Sequence, residues 1–127
     1  MLTDRQLQTY TVEEFLELDL PEDGECELIN GILVPIAQPS GKHENLRTGL
    51  LVSLSLESMR ANLGLLIHPQ PVLALGTKDI RKPDLIAVDR DDWNRQTQTR
   101  AVLREPPSFA IEIVSTNWED DYRTKPL

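Results

Sequence analysis

Apolar residues recur along this chain in short runs broken by proline, glycine and asparagine, and their spacing changes from segment to segment. Residues 1–9 show no period and are expected to fray. Thr11 followed by Val12-Glu13-Glu14-Phe15-Leu16-Glu17-Leu18 predicts a short helix, with Thr11 as N-cap and Glu14 closing a capping box. Phe15, Leu16 and Leu18 would turn inward, and the acids of the first turn suit the helix dipole. Pro21-Glu22-Asp23-Gly24 reads as a turn. Cys26–Ile29 and Ile32–Ile36 flank Asn30-Gly31, the pattern of a hairpin closed by a two-residue type I′ turn. Glu27 shares a strand face with Ile29, so it points to the core if Ile29 does, or else lies on an exposed edge.

Pro39-Ser40-Gly41 breaks the chain, and Ser40 is placed to cap the next segment. From His43 to Asn62 the pattern fits either period: Leu46, Leu50, Leu51 and Leu54 mark a helical face, while Val52, Leu54 and Leu56 alternate as in a strand. Only Gly49 interrupts this long segment, which decides for a helix, with Gly64 as its C-terminal cap. Leu65–His68 and Val72–Leu75 predict short strands joined at Pro-Gln-Pro by an edge or a bend. Gly76–Asp79 turns the chain toward Ile80–Asp84 and an apolar strand that runs from Pro83 to Val88. Residues 89–107 read as a polar connection in which only Ala101-Val102-Leu103 could form a strand. Pro107–Ser115 is apolar and β-branched, the pattern of a strand buried on both faces. Thr116 or Asn117 would then cap a helix with Glu119, Asp120 and Asp121 in its first turn. This order predicts one α/β or α+β domain over residues 1–127, with a mixed sheet.

The chemistry sits where acids interrupt apolar strands. Glu112 lies in the middle of the Pro107–Ser115 run, and Asp84 opens the Pro83–Val88 run. An ionised carboxylate in such surroundings is costly unless it is paired or binds a cation. Two of them on neighbouring strands make a candidate divalent-metal site. Other readings stand beside this one. Asp84 could hydrogen-bond backbone at a strand start, Glu112 could pair with Arg81 or Lys82, and Glu27 could face solvent. His43 is a candidate helix cap or surface residue, with a place in the cleft as the alternative, and His68 reads as structural. Arg90, Arg95, Arg100 and Arg104 are candidate phosphate contacts, or else the charges of a solvated loop.

Bulk properties change this picture little. The chain of 127 residues is 39% hydrophobic and 27% charged, ordinary for a globular domain. Its formal net charge of −8 arises wholly from residues 1–29, where nine acids face one base; the remaining acids and bases balance. The acidity is therefore local. No stripe of Lys and Arg with interleaved aromatics marks a nucleic-acid groove. No apolar run approaches a membrane span, no secretory leader is recognisable, and the lone Cys26 fits a reducing compartment, so the expected location is cytoplasmic.

Five blocks resemble, in order and spacing, the Uma-two family (DUF820) of nucleases, a branch of the PD-(D/E)XK restriction-endonuclease-like fold. They are Thr11-Val12-Glu13-Glu14-Phe15, Glu27-Leu28-Ile29-Asn30-Gly31, Pro39 to His43, Arg81 to Val88, and Phe109 to Ser115, within a match over residues 11–125. The resemblance implies a phosphodiesterase that cleaves DNA with Mg²⁺ or Mn²⁺ held by Asp84 and Glu112, with Glu27 joining from the first strand. It places a catalytic lysine in the helix after the last strand, at Lys125; the position two residues after Glu112, used in the more familiar pattern, is Val114. His43 would be an auxiliary in the same cleft. Family members usually run several tens of residues further, and Pro126 beside Lys125 departs from a continuing helix. A missing tail would leave sheet edge uncovered and favour a homodimer. The alternative expectation is an inactive module that keeps the fold for interaction or assembly.

Overall fold

A computed structural model describes residues 8–18 and 25–114. The turn at Pro21–Gly24 and the helix expected after Thr116 lie outside the described residues. The chain runs α1 (Val12–Leu16), β1 (Cys26–Ile29), β2 (Ile32–Pro35), α2 (Gly41–Arg60), β3 (Leu65–Pro69) and β4 (Val72–Leu75), then β5 (Asp79–Arg81), β6 (Leu85–Asp89), α3 (Arg90–Gln96), β7 (Val102–Leu103) and β8 (Phe109–Ile111). The strands form two sheets where a single mixed sheet was expected. One has the order β2-β1-β5-β4-β7, and the other has the order β3-β6-β8. Every pairing is antiparallel except β4 with β7.

Local chemistry sets the first half. Thr11 Oγ1 accepts from the Glu14 amide and Glu14 Oε1 from the Thr11 amide, completing the capping box. Val12 and Phe15 are buried, with Leu16 and Leu18 packed against the same core. Thr11→Ala should lower stability by about 1 kcal/mol in urea unfolding, the usual cost of a lost cap. Asn30 and Gly31 have φ of 51° and 84°, as a type I′ turn requires, and Ile29 sits opposite Ile32. Ser40 Oγ caps α2 by accepting from the His43 amide.

At the other end of α2 the expected glycine cap gives way to Asn62. Asn62 takes φ 54°, its amide donates to Met59 O, and the Leu63 amide donates to Ser58 O. That pair of bonds is a Schellman motif, in which asparagine tolerates the left-handed conformation. Ser58 Oγ also donates to Leu65 O and accepts from the Leu65 amide, fastening the helix end to β3. Along α2 only Arg47 and Ser58 are fully buried, while Leu46, Val52, Leu56 and Met59 remain exposed. No helix among the described residues is long and apolar enough to cross a membrane.

The segment 89–107 holds more structure than its polarity suggests. Asp89 Oδ1 accepts from the Asp91 and Asp92 amides and caps α3, and Asp91 and Asp92 lie in its first turn. Trp93 on this helix stacks on His68 of β3, ring centroids 3.7 Å apart. Val102 and Leu103 form β7 beside β4 and are buried.

The strand buried on both faces is β6: Leu85, Ile86, Ala87 and Val88 are all inaccessible. Pro107–Ser115 does not behave as expected. Among its described residues the regular part is Phe109–Ile111, which pairs with β6 at the end of the three-strand order, with Phe109 43% and Val114 59% exposed. An apolar, β-branched run marks a strand but does not say whether that strand lies inside a sheet or at its rim.

Candidate active site

The two tightest of the chain's five sheet crossings among the described residues run from β3 to β4 at Gln70 and from β5 to β6 at Lys82-Pro83-Asp84. The Gln70 amide donates to Asp84 O at 3.0 Å and ties the crossings together. Beside them opens a cleft of about 570 Å³, lined by Glu27, His43, Arg47, Lys82, Asp84 and Glu112 among others.

Each acid reaches the cleft for a topological reason. On β1 the burial alternates, with Cys26 and Leu28 facing the core and Glu27 on the opposite, half-buried face. Glu27 Oε2 accepts from the Lys82 amide at 2.7 Å, a donor left without a ladder partner where β5 ends. Asp84 immediately precedes β6 and Glu112 immediately follows β8, and Leu85 stands opposite Ile111 in the antiparallel ladder. That register sets Asp84 and Glu112 side by side. Asp84 Oδ2 accepts from the Ile113 amide at 2.7 Å and carries the contact one residue past the strand.

The other oxygen of Asp84 faces two basic side chains of α2. His43 Nε2 lies 3.1 Å from Oδ1, and Arg47 Nη1 lies 3.5 Å from it. Four residues separate His43 from Arg47, so they stack on one helix face and converge on one atom. Arg47 also pairs with Glu44 one turn back. His43 Nδ1 is buried and has no hydrogen-bond partner; its nearest carboxylate oxygen, on Glu44, is 3.6 Å away.

Glu112 is accessible as a residue, but its carboxyl looks into this crowded space. Its pKa is pushed up to about 7, first by desolvation, then by the charge of Asp84 and a hydrogen bond with it, and then by Glu27, against a smaller opposing pull from His43. Two neighbouring carboxyls that resist joint ionisation mark a place where positive charge is wanted.

Arg81 and Lys82 do not supply it. Arg81 lies 3.9 Å from Asp79, and Lys82 Nζ binds Glu25 at 2.9 Å above the Phe15 ring. Among the described residues no three His, Cys, Asp or Glu side chains form a ready cage for a metal. Mg²⁺, however, usually keeps several waters and takes only one or two carboxylates from the protein, so the Asp84–Glu112 pair fits its needs.

Three of the four candidate loop arginines turn out to be engaged. Arg95 binds Glu105 and Asp92, Arg100 binds Glu17 and Leu16 O, and Arg104 binds Glu13. Lys125 lies outside the described residues. Sequence reasoning missed Arg47, which carries no motif of its own; its place one helical turn after His43 was the available signal.

A crystal structure described as "a putative nuclease belonging to DUF820", from Anabaena variabilis ATCC 29413, matches this fold with a TM-score of 0.68. The two are 21% identical, and the match covers 90% of this chain and 63% of that one. This chain thus spans less than two thirds of the length of its structural relative. No curated protein matches it. A family model does, across residues 12–127, and by that match the chain belongs to the Uma2 family, described as "putative restriction endonuclease".

Proposed function

We propose that the cleft binds Mg²⁺ or Mn²⁺ through Asp84 and Glu112 and hydrolyses phosphodiester bonds in DNA. The observation that carries this reading is the pairing of Asp84 with Glu112 at the open end of the β6–β8 ladder, where burial and then the charge of Asp84 push the Glu112 carboxyl up to about 7. A divalent cation bound there would draw charge from a phosphoryl oxygen and make water a better nucleophile near neutral pH.

The chain's own residues would do the rest. The Ile113 amide orients Asp84 from one side and His43 from the other, so its oxygens are presented in fixed directions. Glu27 is fixed by the Lys82 amide and adds negative charge from the first sheet, drawing a cation inward. Lys125 is the proposed group that orients the attacking water.

Supercoiled and linear DNA incubated with the purified chain and Mn²⁺ should be cut, and a chelator should stop the cutting. An RNA substrate run in parallel decides the nucleic acid. Uncut DNA at millimolar metal would overturn the nuclease reading.

A second reading is supported by the engagement of Asp84 Oδ1 with His43 and Arg47, which already balances that side of the cleft. On this reading the chain keeps the fold as an interaction module without turnover. Failure to cut, together with no calorimetric response to Mn²⁺, would favour it.

A further inference from the structure

We infer that Arg47 is a resident counter-ion for Asp84, a positioning residue that holds the carboxylate while no divalent cation is bound and must be outcompeted when one arrives. The inference rests on the metal-site reading above and adds a determinant of metal affinity outside the carboxylate set.

Arg47 is 7% exposed, the most buried charged residue among those described. A guanidinium keeps its charge at any ordinary pH, so burial has to be matched by anions. Two surround it: Glu44 on the same helix, and Asp84 at the sheet crossing 37 residues away in sequence. Its Nη2 pairs with Glu44 and its Nη1 reaches Asp84 Oδ1 at 3.5 Å, so the guanidinium is shared between the helix and the sheet crossing.

The atom Arg47 approaches, Asp84 Oδ1, also lies 3.1 Å from His43 Nε2, while Oδ2 takes the Ile113 amide. Asp84 lines the cleft, so a guanidinium beside its carboxylate and a divalent ion bound to it would repel one another. Arg47 thereby lowers the negative potential that Glu27, Asp84 and Glu112 would otherwise present. Glu44 moderates this effect by drawing Arg47 toward the helix. Glu44 is half exposed, with its carboxyl held below the usual range chiefly by the hydrogen bond from Arg47.

Titration calorimetry with Mn²⁺ on the full chain tests this, without any nuclease readout. Arg47→Met, close in volume but uncharged, should bind Mn²⁺ about tenfold tighter or more, the scale of removing a unit charge a few ångströms from a site of intermediate dielectric. Arg47→Lys, which restores the charge, should return the affinity to within about threefold of wild type. Glu44→Gln should weaken binding, because Arg47 then leans wholly on Asp84, and this effect should vanish in the Arg47→Met background.

Equal or weaker binding by folded Arg47→Met would overturn the inference while leaving the metal site standing. If Arg47→Met does not fold, Glu44→Gln decides alone: unchanged or tighter binding overturns it. Mn²⁺ binding seen only in Arg47→Met would support the inference. Absence of binding in wild type and in every variant removes the metal site, and the inference falls with it.

Discussion

Asp84→Asn is expected to abolish Mn²⁺ binding and DNA cleavage while leaving the fold in place. Two features of the site set this outcome apart from simple unfolding. First, an asparagine Oδ1 can still accept from the Ile113 amide, so the bond that joins the start of β6 to the end of β8 survives. Asp84→Ala would instead strand that donor in a half-buried place, at about 1–3 kcal/mol. Second, Arg47 keeps Glu44 as a partner, so the loss of the Asp84 charge does not leave a guanidinium buried alone.

The proposed metal site fares differently, because Asp84 is one of its two adjacent carboxylates and the one held by a backbone amide. Metal affinity should fall by about a hundredfold or more, since losing even a group that merely orients a ligand costs about 10–100-fold. Calorimetry with Mn²⁺, paired with urea unfolding of the same samples, separates the two effects. A variant that is folded and binds like wild type would remove Asp84 from the site.

The features legible in the sequence are those whose signals are local. The capping box at Thr11, the Asn30-Gly31 turn and the Ser40 cap depend on residues within three or four positions of one another, and the structure contains all three. The adjacency of Asp84 and Glu112 was legible because Asp84 opens one apolar strand run and Glu112 interrupts another, where an unpaired carboxylate calls for explanation.

The partition into two sheets was not legible. Whether β3 and β4 continue one sheet or divide between two depends on the bend at Gln70, whose φ of 42° no pattern of apolar residues announces. The short helix α3 was missed because Trp93 is its only large apolar residue, although Asp89 followed by Asp91 and Asp92 is a legitimate capping signal. Arg47 was missed for a deeper reason. A buried arginine is defined by its partners, and its more distant partner comes from another part of the chain.

The carboxylates of the cleft serve the fold as well as the proposed chemistry. Glu27 satisfies the Lys82 amide and Asp84 the Ile113 amide, each at a point where a strand has just ended and its backbone lacks a ladder partner. Carboxylates in those roles are fixed in direction before any ligand arrives. The same arrangement explains why the sheet crossings and the candidate site coincide, since ladder ends are where backbone donors remain for side chains to take. Glu112 has a raised pKa, and its consequences are therefore visible in solution.

Glu112→Gln should remove a pH-dependent loss of stability that the wild-type chain shows on passing from acid to neutral conditions. The carboxyl titrates at about 7 in the folded chain against 4.5 for an ordinary glutamate, so between those values the folded state holds more protons than the unfolded one. Stability then falls as pH rises through that window and levels off above about 7. The cause is the cost of ionising Glu112 where it is desolvated and beside Asp84 and Glu27, a cost that glutamine does not incur. His68, whose pKa is lowered by burial, contributes the opposite slope below 6.5, because a histidine kept neutral in the fold loses stability as acid protonates it. The informative quantity is therefore the difference between Glu112→Gln and wild type in urea unfolding from about pH 4 to about pH 8: small at the acid end, below the unfolded value, and favouring the variant at neutrality. Saturating Mn²⁺ should erase the variant's advantage, since a cation stabilises the ionised pair in wild type and glutamine gives it one charge fewer to bind. An unchanged pH profile in Glu112→Gln would mean that Glu112 ionises without hindrance and that the two carboxyls do not share one charged space.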